Sequence, residues 1–233
     1  MLSREAVRVV TSTEITESDN KKRDIAMAPR LLLLRHGQIT ANRVGRWHGS
    51  TDSPLTLRGR WQAWRTGRYL SKNETFAAVY TSPLQRCRHT AALAAPASKA
   101  SHTVVNGLAE MSIGDWEDER FEDLNRERNL IERFNQDIHW APPNGEGLAT
   151  VAARMRESLE GISAAHGDDE TILVVSHGAA MAVALGELVH GHPTEWARYQ
   201  FANCSLTQLR LGEDGGPAQL IDFNSYAHRL PFS

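Results

Sequence analysis

Leu31-Leu32-Leu33-Leu34-Arg35-His36-Gly37 joins an unbroken aliphatic run to an abrupt polar stop, and Thr171-Ile172-Leu173-Val174-Val175-Ser176-His177-Gly178 repeats the layout. Short runs that are apolar at every position predict strands covered on both faces, as in a parallel sheet packed between helices. Ala77-Ala78-Val79-Tyr80-Thr81-Ser82 is a third, weaker example, with Arg86 shortly after it. Open α/β sheets form their ligand crevice beyond the carboxyl ends of parallel strands. Arg35, His36, Arg86 and His177, distant along the chain, are therefore expected to converge on one pocket.

The stretches between these strands read mostly as helices. Thr56 caps a helix whose Leu57, Trp61 and Trp64 recur at steps of four and three, and the two tryptophans are read as packing residues. A second helix is expected over Arg86–Ala95, and a weak strand at Val104–Val105. Asp118–Asp137 reads as one charged helix with Phe121, Leu124, Ile131 and Phe134 as its apolar stripe. Pro142-Pro143-Asn144-Gly145 breaks the chain before a helix carrying Val151, Met155, Leu159 and Ile162. An alanine-rich helix runs from Gly178 to about Val189, and Ser205–Leu211 pairs with Gln219–Phe223 around Gly215-Gly216-Pro217. Strands that alternate with helices predict an α/β three-layer sandwich, a mainly parallel central sheet flanked by helices. Residues 1–29 are polar, carry Lys21-Lys22-Arg23, and read as a flexible extension before one domain over 30–233. Met27, directly before the first strand, is an alternative translation start.

Composition narrows the classes. The 233 residues suit a single domain, and 26 basic against 28 acidic residues give a net charge of −2. Such a balance predicts neither a nucleic-acid nor a membrane partner, since both select a concentrated positive face. Cys87 and Cys204 stand far apart and outside any metal-ligand spacing, so neither a disulfide scaffold nor a metal is expected, and a reducing cytoplasm suits the chain. His190-Gly191-His192 lacks further spaced ligands. The first residues lack the apolar segment of a secretory signal.

A pocket of two arginines and two histidines suits phosphoryl transfer. Guanidinium forks match phosphate oxygens bidentately, and a neutral imidazole is a competent nucleophile towards phosphorus. Gly37 and Gly178 remove a Cβ beside each histidine, which lets a ligand approach the backbone. A leaving alkoxide needs a proton, and Glu110 is the candidate donor.

Together these segments resemble the histidine phosphatase superfamily, the phosphoglycerate-mutase-like group. Arg35-His36-Gly37-Gln38 with Asn42 is similar to the family's opening motif, and Asp52-Ser53-Pro54-Leu55-Thr56 with Gly59 and Gln62-Ala63 continues in its order. Ser82-Pro83-Leu84-Gln85-Arg86-Cys87-Arg88 with Thr90-Ala91, Leu108-Ala109-Glu110 with Gly114 and Trp116-Glu117, Ser176-His177-Gly178, and Asn203-Cys204-Ser205 complete it. The resemblance covers about Leu31 to the end. It implies that His36 becomes phosphohistidine, and that Arg35, Asn42, Arg86, His177 and Gly178 hold the phosphoryl group. It also implies that Glu110 protonates the leaving group, that no cofactor is required, and that a homodimer is an admissible assembly. Three positions depart from the pattern: Ile39 for Thr or Ser, Asp118 for a common Gly, and Gly147 for a capping Ser.

The expected activity is hydrolysis of a small phosphorylated metabolite. Mutase-type transfer is the second reading, although Met111-Ser112-Ile113-Gly114 offers neither the base nor the phenol that mutases usually carry after the acid donor. A non-catalytic binding protein on the same fold is the third. Arg43 and Arg46 are candidates for holding a further acidic group of the substrate.

Overall fold

The computed structural model describes residues 28–96 and 102–226. The strands are β1 (Arg30–Arg35), β2 (Ala78–Thr81), β3 (His102–Val104), β4 (Thr171–Ser176), β5 (Leu206–Arg210) and β6 (Gln219–Ser225). The α-helices are α1 (Thr40–Val44), α2 (Leu57–Asn73), α3 (Gln85–Ala94), α4 (Phe121–Arg128), α5 (Leu130–Gln136), α6 (Leu148–Ala164) and α7 (Gly178–His190). The strand order is β3-β2-β4-β1-β5-β6. β3, β2, β4 and β1 run parallel, with Arg35 opposite Ser176 at the end of the β1–β4 register, while β5 is antiparallel to its neighbours β1 and β6. This is the sandwich that the aliphatic runs predict, with β1 and β4 side by side in the middle.

Side chains that alternate along these strands divide between two cores. Leu31, Leu33, Ile172 and Val174 pack with Val151, Met155 and Leu159 of α6 and Met181 and Leu185 of α7. Leu32, Leu34, Leu173 and Val175 pack with Ala63 and Leu70 of α2 and Cys87 and Ala91 of α3. Every leucine of Leu31–Leu34 is at most 1% exposed, each contributing about 2 kcal/mol of burial.

Three local expectations are corrected. The charged segment is two helices, because Asn129 adopts a left-handed φ of 52° between α4 and α5, and the residues from Asp118 to Arg120 precede the first. The weak strand lies at His102–Val104 rather than at Val104–Val105. The short helix α1 lies between β1 and α2. On α2 the fold buries Gly59, Gln62, Ala63, Thr66, Gly67 and Leu70, so Trp61 and Trp64 face solvent instead of packing. Thr56 does cap α2, its Oγ1 accepting from the Gly59 amide at 3.0 Å. The expected extension over residues 1–29 lies, as far as residue 27, outside the described residues.

Candidate active site

β1 and β4 end level with each other, and this sets the site. Arg35 closes β1, His36 and Gly37 follow it, and Ser176 closes β4 with His177 as the N-cap of α7. The imidazoles of His36 and His177 lie 5.2 Å apart between ring centroids, tilted by 60°. Both are buried, at 2% and 0% exposure. Arg86, in the first turn of α3, is also fully buried and joins the cluster from the β2 side. The sequence expectation of convergence therefore holds for all four residues.

Hydrogen bonds fix both tautomers. His36 Nδ1 lies 2.8 Å from the Gly37 carbonyl, which only accepts, so Nδ1 carries the proton and Nε2 keeps its lone pair. His177 is the reverse: Arg86 Nε–H donates to Nδ1 at 3.1 Å, and Nε2 donates to Ser82 Oγ at 2.7 Å. Burial, reinforced by the neighbouring guanidiniums, holds both rings well below the usual histidine range, which keeps them neutral. Arg35 donates through Nη1 to the Phe201 carbonyl, whereas its buried Nε–H has no acceptor. A buried orphan donor on a guanidinium costs about 1–3 kcal/mol, and an anion would relieve it.

Glu110 sits across this cluster on the first turn of α7. Its carboxylate accepts from the amides of Ala180 at 2.7 Å and Ala179 at 3.3 Å, and from Met111 at 2.9 Å. The positive end of the helix favours a carboxylate there. Its charge acts on Arg35. Asn42 is held from the other side, its Oδ1 accepting from the Ile39 amide at 3.2 Å and from Asn203 Nδ2 at 3.1 Å.

Arg86 is more committed than the sequence suggests. Nη1 donates to the Thr51 carbonyl at 2.7 Å, and Nη2 to those of Gly49 at 2.8 Å and His48 at 3.1 Å. The amide side of the same segment is gripped by Glu117, whose carboxylate accepts from Gly49, Ser50, Thr51 and Ile113 at 2.9–3.2 Å. Residues 48–51 thus lie clamped between a guanidinium and a carboxylate. Asp118, at a left-handed φ of 65°, extends the clamp by accepting from His48 Nε2 at 2.9 Å, while Ser53 Oγ meets His48 Nδ1 at 2.7 Å. Arg46 pairs with Asp118 as well, and so turns to the protein instead of standing free for a ligand.

Gly37 and Gly178 are both tightly packed against neighbouring protein groups. A Cβ at Gly37 would meet the Gly59 carbonyl at 2.5 Å, and one at Gly178 would meet the Arg35 guanidinium at 3.2 Å. Gly147 lacks room for a capping serine because a Cβ would fall 2.7 Å from the Trp140 carbonyl. Ile39 is buried with Ala41 and Leu55, so its side chain belongs to a small core. Cys87 is buried against His177, and burial pushes its thiol up, away from reactivity. His190 bonds Tyr199 and His192 caps Thr194, and no metal-ligand cluster occurs among the described residues. Glu117 and Ser82 escaped the reading of site residues although both stand in the quoted motifs. Neither has a side-chain type that marks a clamp without coordinates.

Comparison with known proteins agrees with this geometry. Residues 31–224 match the model of the histidine phosphatase superfamily, branch 1. The adenosylcobalamin/alpha-ribazole phosphatase of Escherichia coli is 34% identical over 71% of this chain and 81% of its own length. The Mycobacterium tuberculosis protein named bifunctional protein Rv2228c is 38% identical over 64% of this chain, which spans only 41% of that protein. Among solved structures, a putative alpha-ribazole-5'-P phosphatase from E. coli superposes with a TM-score of 0.73 at 30% identity, covering 86% of this chain and 98% of that one. A phosphoserine phosphatase from Entamoeba histolytica reaches 0.76 at 29% identity, covering 87% and 100%. With a buried pair of strand-end histidines between two arginines, and a match over nearly all the described residues, the chain belongs to the histidine phosphatase superfamily.

Proposed function

We propose that the chain is a phosphoric monoester hydrolase that works through phosphohistidine on His36. The observation that carries this reading is the His36 tautomer. Nδ1–H is anchored to the Gly37 carbonyl, and Nε2 presents a lone pair beside two buried guanidiniums. Nε2 attacks phosphorus, the P–O bond to the leaving group breaks, and Glu110, entering this step as the carboxylic acid, supplies the proton that the alkoxide takes. Water then attacks the phosphorus of phosphohistidine, Glu110 recovers a proton from it, and the P–N bond breaks. The Gly37 carbonyl stabilises the positive charge that the phosphorylated ring gains. Arg35, through its unsatisfied Nε, and Arg86 and His177 hold the phosphoryl oxygens, with the Asn42 amide nitrogen and the Gly178 backbone assisting.

Relatives named as phosphatases for alpha-ribazole and phosphoserine support a small phosphorylated substrate. A relative named probable phosphoglycerate mutase supports the alternative, at 28% identity. Against it, Met111 and Ile113 are fully buried, so the segment after Glu110 presents no second phosphate-binding base. The test is hydrolysis of p-nitrophenyl phosphate by wild type and His36→Ala, with trapping of the acid-labile phosphoenzyme. Turnover that survives in His36→Ala removes the mechanism. Phosphoryl exchange between phosphoglycerates that exceeds hydrolysis would establish the mutase reading.

A further inference from the structure

α2 turns to solvent a side that its sequence marks as apolar. Leu57, Trp61 and Trp64 follow at steps of four and three, and Arg68 comes four residues later, so the four share one line along the helix. Leu57 is 87% exposed, Trp61 44% and Trp64 46%, with Tyr69 beside them at 43%. The fold covers only the opposite face of this helix. The same 17 residues carry Arg58, Arg60, Arg65, Arg68 and Lys72 and no acidic side chain. The Arg65 guanidinium lies 5.0 Å over the Trp61 ring, and that of Arg68 5.2 Å over Trp64. The chain's net charge of −2 conceals this concentration, which folding gathers on one helix.

We propose that this face of α2 lies flat on an anionic lipid surface. Indole rings settle at headgroup depth, and the exposed Arg68 guanidinium stacked on Trp64 stays level with the lipid phosphates, which it matches bidentately. The flanking cations reach the same plane through their apolar stems. No helix of the described residues can cross a bilayer, so the contact is peripheral. A symmetric contact between two copies of α2 would set five cations against five, which opposes association. An acidic protein groove is the competing occupant, and binding to poly-L-glutamate separates it from lipid. The N-terminal end of α2 adjoins the site, since Thr56 Oγ1 donates to the Gln38 carbonyl at 3.2 Å. This placement rests on exposure and charge alone and stands independently of the proposed chemistry.

Co-sedimentation of the full chain with unilamellar vesicles tests the proposal. Vesicles of phosphatidylglycerol and phosphatidylcholine in equal parts should pellet the protein, and pure phosphatidylcholine should not. Raising the salt to about 1 M, where the Debye length is about 3 Å, should release it. Arg60→Gln/Arg68→Gln should weaken partitioning by about thirtyfold, the effect of removing two cations near an anionic surface. Trp61→Ser/Trp64→Ser should also reduce pelleting at low salt, because the indoles no longer enter the headgroup layer. Both double variants alter exposed residues and should keep wild-type circular dichroism and turnover of p-nitrophenyl phosphate. Equal pelleting with both vesicles, no pelleting, or pelleting of the variants like wild type overturns the proposal. So does binding to poly-L-glutamate, to single-stranded RNA or to a second copy in the absence of binding to vesicles.

Discussion

Nε–H of Arg86 points at Nδ1 of His177 across 3.1 Å, so one buried side chain dictates which nitrogen of another carries its proton. The consequence is a fixed Nε2–H donor, now directed at Ser82 Oγ. Under the proposed function, that donor meets a phosphoryl oxygen. Arg86→Lys retains the charge, yet an ammonium cannot serve Nδ1 and the carbonyls of His48, Gly49 and Thr51 together. We expect kcat/KM to fall by about 10²–10³ and the His177 imidazole ¹⁵N spectrum to show mixed tautomers. Wild-type turnover with a shifted tautomer would dissociate the hydrogen bond from catalysis.

The buried neutral histidines also link stability to acidity. His36 and His177 have folded pKa values well below 6.5, so below that pH the unfolded chain binds protons that the native one refuses. Unfolding free energy therefore rises with pH up to about 6.5, and falls as pH drops below it. Each ring adds a slope of about 1.4 kcal/mol per pH unit until its own folded pKa is reached. Urea melts at pH 5 and pH 7.5 measure this, and His36→Gln should remove about half of the difference. An unchanged difference would assign the acid lability to other groups.

Gly37 and Gly178 separate folding from function. A Cβ at Gly37 meets a backbone carbonyl at 2.5 Å, so Gly37→Ala should destabilise by about 2 kcal/mol or more. At Gly178, on the first turn of α7, the Cβ meets only the Arg35 guanidinium at 3.2 Å, and alanine is the better helix former. Gly178→Ala should hold its thermal midpoint to within a few degrees while kcat/KM drops at least about tenfold, because Arg35 is displaced. Equal loss of activity and stability in both variants would place Gly178 in the scaffold alone.

Much of this site could be read before any coordinates. The unbroken leucines of β1 and the aliphatics of β4 announce strands buried on both sides, and a parallel pair in register must place the residues that follow them together. What could not be read depends on contacts between distant loops. Trp61 and Trp64 obey the helical period of a packed face, and only the alternative face of small residues, Gly59, Ala63 and Gly67, shows which side turns inward, towards Gln38 and α3. Sequence order likewise says that Arg86 belongs near phosphate, but not that three backbone carbonyls already occupy it. Asn129 breaks a helix whose apolar stripe runs straight through it, because a left-handed residue leaves no mark on hydrophobic spacing.

The clamp on residues 48–51 gives the most direct test of how Arg86 is positioned. Glu117 accepts four backbone N–H groups, two on each carboxylate oxygen, while the carbonyls of the same segment face Arg86. Glu117→Gln is nearly isosteric but replaces one acceptor by an NH₂ group that confronts amide donors. With donors left unsatisfied at about 1–3 kcal/mol each, the thermal midpoint should fall by about 5–10 °C. Amide exchange should quicken at the pair that faces the new NH₂ group, either Gly49 with Thr51 or Ser50 with Ile113, which lose their acceptor. If those carbonyls also set the Arg86 guanidinium, KM should rise more than kcat falls, since the effect is on the rim that holds substrate. Asp118→Gly provides the control: it relieves the left-handed residue and cuts the links to His48 and Arg46 but leaves the Glu117 carboxylate in place, so exchange at Ser50 and Thr51 should stay slow. Fast exchange there in Asp118→Gly, or slow exchange in Glu117→Gln, would show that the segment is held by something other than the Glu117 carboxylate.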